Sequence, residues 1–166
     1  MRATGAARLL ACWWDYLIIV AWVALLTVVG LVLHPVTPTT SSPVIADGAV
    51  FCLTVLPVGV YLTLTESGPR QATWGKHRAG LRVVTTDGQR PGLLRIALRA
   101  AVKLSPWQLA HVAMSRLILK LDAPLIIGAT YSLSLFVALL SVGMAWRDPL
   151  RRALHDRAAG TLVVQG

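Results

Sequence analysis

The sequence predicts an all-α polytopic membrane protein, and three observations lead to this fold class. Of the 166 residues, 55% are hydrophobic and only 14% are charged, whereas a soluble domain carries about 25% charged residues. Three apolar runs, at 9–33, 44–64 and 124–146, are each long enough to cross a hydrocarbon core of about 30 Å. Half of the 16 basic residues lie between positions 65 and 103. Such clustering is typical of membrane orientation, so we attribute the net charge of +9 to the membrane and expect no nucleic-acid partner.

The first span contains a single charged residue, Asp15. Asp15 lies about 9 Å inside a helix that starts at Leu9. An ionised carboxylate at the centre of a span costs on the order of 2.5–3.5 kcal/mol, and less near one end, so something must offset this cost. Three interpretations remain open: Asp15 belongs to an ion or ligand site, it is one half of a structural ion pair between helices, or its carboxylate reaches the membrane interface.

The charge distribution also predicts how the chain crosses the membrane. The basic loop 65–103 is expected in the cytoplasm together with the N-terminus, and the loop 34–43, which has no Lys or Arg, outside. Segment 104–121 is short and carries charges. If it crosses, the basic tail 147–166 returns to the cytoplasm, so we expect four spans. The alternative is three spans with 104–121 interfacial or re-entrant. Pro57, inside the second span, is expected to kink it or to free a backbone carbonyl.

The basic loop contains two predicted elements. Residues 81–85 are rich in β-branched side chains and are followed by Asp87-Gly88, which indicates a strand and a turn. This strand could pair with residues 161–164 as a two-stranded ribbon. Residues 92–103 predict an amphipathic helix at the membrane interface, whose cationic stripe would bind anionic lipid headgroups. The stripe consists of Arg95, Arg99 and Lys103.

Two motifs and the charged first span carry a family resemblance over nearly the whole chain. The first motif, G-K-x-x-x-G-L-R-V-V, begins at Gly75, and the second, D-x-x-x-G-T-x-V-V, begins at Asp156. With Arg8 and Asp15 they resemble the RDD family of bacterial membrane proteins, named for one arginine and two aspartates. The resemblance implies one membrane domain over 1–166 in the bacterial inner membrane, with both termini cytoplasmic. It also implies transport or cation/proton exchange of an unidentified ligand, with Asp15 and Asp156 as candidate carriers of Na⁺ or H⁺ and Arg8 tuning them. Because the chain is small for alternating access, we expect a transporter to work as a homo-oligomer.

A structural alternative to the transport hypothesis starts from the same charges. Asp15 could pair with a cation of the motifs, for which Lys76, Arg82 and Arg157 are the candidates. The protein would then be a non-enzymatic accessory, assembly or lipid-binding protein. We do not expect an enzyme, a cofactor or a metal site, because the four histidines are scattered and no catalytic motif occurs.

Overall fold

The computed structural model describes residues 3–33 and 42–166, so the predicted outer loop at 34–43 lies almost entirely outside the described residues. Three helices are long and apolar enough to cross a membrane, and they match the three predicted apolar runs. Their apolar side chains lie mainly on the surface; Leu31 and Leu139, for example, are 71% and 72% exposed. Apolar surface on this scale requires a cover of lipid. The predicted fold class, a polytopic helical membrane protein, is thereby confirmed. The elements are α1 (Gly5–Leu33), α2 (Pro43–Ser67), α3 (Trp74–Arg78), β1 (Leu81–Thr85), α4 (Leu93–Ile118), α5 (Pro124–Arg147), α6 (Leu154–Ala158) and β2 (Thr161–Gln165).

Helix α2 contains an irregular turn around its proline. The helix is α-helical over Pro43–Val50 and Leu56–Ser67 and π-helical over Phe51–Val55. Pro57 has no N–H to donate to the carbonyl of Leu53 four residues earlier. The indole Nε1–H of Trp22 donates to this carbonyl instead, at 2.8 Å. The predicted free carbonyl is therefore present, and it joins α1 to α2.

Helix α4 differs from the sequence expectation. The segments predicted as an interfacial helix at 92–103 and a separate short span at 104–121 form one continuous helix of 26 residues. Pro106 does not end it, because neighbouring hydroxyls complete the local hydrogen bonding. Ser105 donates to the carbonyl of Val102 at 3.0 Å, and Ser134 on α5 donates to the carbonyl of Pro106 at 2.7 Å. The structure thus contains no separate interfacial helix within the described residues, and α4 packs on α2 and α5.

The predicted ribbon is present as an antiparallel pair of β1 and β2, with Leu81 opposite Gln165 and Thr85 opposite Thr161. Each strand follows a short helix and a glycine with positive φ, Gly80 at 64° and Gly160 at 58°. Such a conformation favours glycine over other residues. The ribbon packs against the first turns of α1 and α4, and its core consists of Ala3, Ala11, Leu81, Val83, Ile96 and Val163.

The ribbon defines one end of the helix bundle, and an ion pair lies at the other. Arg116, near the end of α4, donates to Asp47 near the start of α2 at 2.6 Å. Ser115 donates to the same carboxylate oxygen at 2.6 Å. We refer to the two ends as the ribbon end and the far end.

Candidate functional site, a charged cavity beside the ribbon

Asp15 lies at the ribbon end and is held by neutral donors. Its Oδ2 accepts from the hydroxyl of Thr73 at 2.6 Å, and its Oδ1 accepts from the N–H of Gly75 at 2.9 Å and from the hydroxyl of Tyr61 at 3.4 Å. The carboxylate is 8% exposed. A Cβ on Gly75 would lie 2.3 Å from the carbonyl oxygen of Ala11, so only glycine permits this close approach of α3 to α1.

The ion-pair interpretation of Asp15 is not supported for its three candidate cations, because none of them forms an ion pair with it. Lys76 pairs with Glu66, and Arg157 pairs with Asp148 at 3.0 Å. Arg82 is exposed on β1. The hydroxyls of Thr73 and Tyr61 and the N–H of Gly75 offset the burial of Asp15 instead, since hydrogen bonds to a carboxylate stabilise its charged form.

A second, buried charge cluster lies next to Asp15. Arg99 is 2% exposed and bridges two carboxylates: it donates to Asp156 Oδ1 at 2.7 Å and to Glu66 Oε2. Lys76 donates to the other oxygen of Glu66. Glu66 and Asp156 are each 1% exposed. The cluster joins α2, α3, α4 and α6 at one point.

The cluster also controls protonation on α6. Burial alone would raise the pKa of Asp156, but the charge of Arg99 and the hydrogen bonds from Arg99 and Ala153 lower this pKa below its ordinary value. Burial, assisted by the charge of Arg99, lowers the pKa of His155 to about 3. Asp156 is therefore ionised and His155 neutral at neutral pH.

Arg8 joins α1 to the last part of the chain. Its two terminal nitrogens donate to the carbonyls of Arg151 at 2.6 Å and Val163 at 3.1 Å. Its Nε–H has no hydrogen-bond partner within the described ranges. The guanidinium therefore contacts neutral acceptors, and no carboxylate in the described part of the chain forms an ion pair with it.

These groups surround one cavity of about 300 Å³ between α1, α2, α4 and α6. The three residues that give the RDD family its name, Arg8, Asp15 and Asp156, all line it, although the last two are far apart in sequence. We call it the RDD cavity. Its charged lining consists of Arg8, Asp15, Lys76, Arg99, Lys103 and Asp156.

Two residues of the cationic stripe predicted for lipid headgroups, Arg99 and Lys103, face the protein, whereas Arg95 is exposed. Arg99 is buried in the charge cluster, Lys103 lines the RDD cavity, and Arg95 donates to the carbonyl of Gly160 at 3.4 Å. The stripe occurs as its spacing predicts, but Arg99 does not reach a bilayer surface. The sequence analysis did not identify Glu66 as part of the site. Its signal in the sequence is an acid two residues after the apolar run 44–64, at the start of the basic loop.

Together, the fold and the cavity define a small polytopic membrane protein with an internal charged site at one end of its bundle. Comparison with known families agrees with this class: the RDD family model matches residues 2–160, and the chain belongs to the RDD family. Searches of curated proteins and of solved structures gave no match.

Proposed function

We propose that this membrane protein binds an anionic ligand in the RDD cavity and takes part in its transport, without enzymatic chemistry. The observation that supports this most directly is the charge of the cavity. Four cations act there, Arg8, Lys76, Arg99 and Lys103. Only three carboxylates accompany them: Asp15 and Asp156 in the lining and Glu66 behind it. With His155 neutral, one positive charge is in excess.

Cation/proton exchange, which the resemblance implied, is less well supported. A carboxylate that carries Na⁺ or H⁺ must present free oxygen lone pairs to the ion. Both oxygens of Asp15 accept hydrogen bonds, and both oxygens of Glu66 contact cations. Asp156 accepts from Arg99 and from the backbone N–H of Ala153. A cation would have to displace these donors.

The connection between the ribbon and the helices supports four membrane crossings. Strand β1 precedes α4 and pairs with β2, which follows α5. If α5 crosses the membrane from the far end to the ribbon end, α4 must run the opposite way over the same depth. The 26 residues of α4 extend about 39 Å, enough for a bilayer core of about 30 Å. We therefore propose an inner-membrane protein with four spans, and with the ribbon and both termini in the cytoplasm.

Ligand-induced thermal stabilisation of the purified protein tests the proposed function. A ligand that binds only the folded state raises its stability. We expect inorganic phosphate or phosphatidylglycerol to raise the melting temperature of the wild type and to have a reduced effect on Lys103→Gln. Replacing NaCl with choline chloride at equal ionic strength should leave the melting temperature unchanged. Stabilisation by Na⁺ alone, abolished in Asp15→Asn, would contradict the proposal and favour cation exchange.

A further inference from the structure

One cation of the RDD cavity has no counter-charge of its own. The side chain of Lys103 makes no hydrogen bond and no ion pair with any residue of 3–33 or 42–166. The charges that act on it are the cations Lys76 and Arg99 and the carboxylate of Glu66. Glu66 is already shared by those same two cations. The ammonium group of Lys103 can therefore donate hydrogen bonds to an anion that enters the cavity.

The walls of the cavity change from charged to apolar along the helices. On α1, Ile19 follows Asp15 by four residues, and on α4, Trp107 follows Lys103 by four residues; all four line the cavity. Four residues correspond to about 6 Å along a helix axis. Each apolar side chain thus lies about one turn further from the ribbon end than the charged one. A ligand with an anionic head and an apolar body matches this arrangement.

An apolar groove lies beside the cavity, and the two share a lining residue. The groove lies between α2 and α4 and has a volume of about 630 Å³. Leu104 lines both the cavity and the groove, and the other groove residues include Val55, Gly59 and Ala101. The volume of about 300 Å³ in the cavity itself accommodates a headgroup, whereas acyl chains must lie outside it.

We propose that the RDD cavity binds the headgroup phosphate of an anionic phospholipid, with the Lys103 ammonium as its principal donor and the acyl chains along the groove between α2 and α4. This inference rests on the proposed function, since it names the anion that the cavity takes. A charge-assisted hydrogen bond from an otherwise unpaired ammonium favours the phosphate. The apolar wall at Ile19 and Trp107 favours a lipid over a free anion.

Native mass spectrometry of the full chain, released from micelles with defined lipids, measures this binding. The probes are phosphatidylglycerol, phosphatidylcholine and inorganic phosphate. We expect the wild type to retain phosphatidylglycerol in preference to the other two. Lys103→Gln should weaken this binding about tenfold or more, because it removes a charged hydrogen bond. Lys103→Arg, which keeps the charge, should restore most of it.

A matched control separates the cavity from general attraction to anionic membranes. Arg95→Gln removes the same charge from the same helix at an exposed position outside the cavity. This variant should bind phosphatidylglycerol like the wild type, and equal losses in both variants would refute the cavity as the site. All variants are first compared for helix content and melting temperature; Lys103→Gln breaks no side-chain hydrogen bond or ion pair among the described residues and should fold.

The possible outcomes separate the two proposals. Binding of inorganic phosphate that depends on Lys103, without retention of phosphatidylglycerol, would overturn the lipid inference and leave the proposed function intact. Equal retention of phosphatidylglycerol and phosphatidylcholine, unchanged by Lys103→Gln, would overturn the lipid inference as well. If no anionic probe binds at all, both proposals fall.

Discussion

Neutralising Glu66 should destabilise the protein strongly, because this carboxylate is the shared partner of two buried cations. Glu66 is 1% exposed and contacts Lys76 and Arg99, and the side chains of these cations are 9% and 3% exposed. Glu66→Gln keeps the shape of the side chain but leaves Lys76 without a carboxylate. Removing one partner of a buried ion pair costs about 3–5 kcal/mol. We therefore expect the free energy of unfolding to fall by about this amount.

Equilibrium unfolding in mixed micelles, followed by tryptophan fluorescence, measures this change. The double variant Glu66→Gln with Lys76→Met removes both members of the pair and should be less destabilised than the single variant, since no cation is left unpaired. Asp87→Asn, at an exposed carboxylate, is the control and should lie within about 0.5 kcal/mol of the wild type. A loss below 1 kcal/mol for Glu66→Gln, or a simple sum in the double variant, would refute the reasoning.

Three further predictions concern the neighbourhood of the cavity. Gly75→Ala places a Cβ 2.3 Å from a backbone oxygen of α1 and should lower the free energy of unfolding by about 1–3 kcal/mol. The control Gly128→Ala, whose Cβ would have nothing within 4 Å, should leave the free energy of unfolding nearly unchanged in the same assay. Asp15→Asn cannot accept from both Thr73 and Gly75 and should cost about 1–3 kcal/mol; an unchanged melting temperature would contradict this. Wild-type stability should fall as the pH decreases from 6.5 towards 3. Over this range His155 becomes protonated in the unfolded chain, whereas its lowered pKa keeps it neutral in the folded chain. His155→Gln should flatten this part of the pH profile, and an unaltered slope would refute the assignment.

The parts of the fold that depend on local pattern were predictable from the sequence. The three apolar spans follow from hydropathy, and the ribbon follows from two β-branched segments, each preceded by a glycine such as Gly80 or Gly160 with positive φ. That Asp15 and Asp156 line one cavity was not predictable from local pattern. Neither aspartate carries a local signal for its distance from the other, since their separation depends on how the helices pack.

The charge pairing could not be predicted, for a physical reason. Arg99 meets partners 33 and 57 residues away, so its contacts arise only when three elements pack together. A cationic stripe at i, i+4 and i+8 looks the same whether it faces headgroups or buried carboxylates. Glu66 at the end of α2 offered the only hint, because a buried acid requires a cation nearby. Similarly, Asp15 required compensation, but the sequence could not distinguish a cation from a threonine hydroxyl and a backbone N–H.

The most direct test of the central claim, that the RDD cavity holds a lipid phosphate, is a solid-state NMR measurement of phosphorus–nitrogen dipolar coupling. The protein is labelled at its lysine side-chain nitrogens and reconstituted in phosphatidylglycerol, and Lys103→Arg assigns the signal. We predict that the Lys103 nitrogen couples to a lipid phosphorus at hydrogen-bonding distance. A Lys103 signal without any phosphorus coupling, beside a coupled Lys120, would contradict the claim and limit lipid contact to the protein surface.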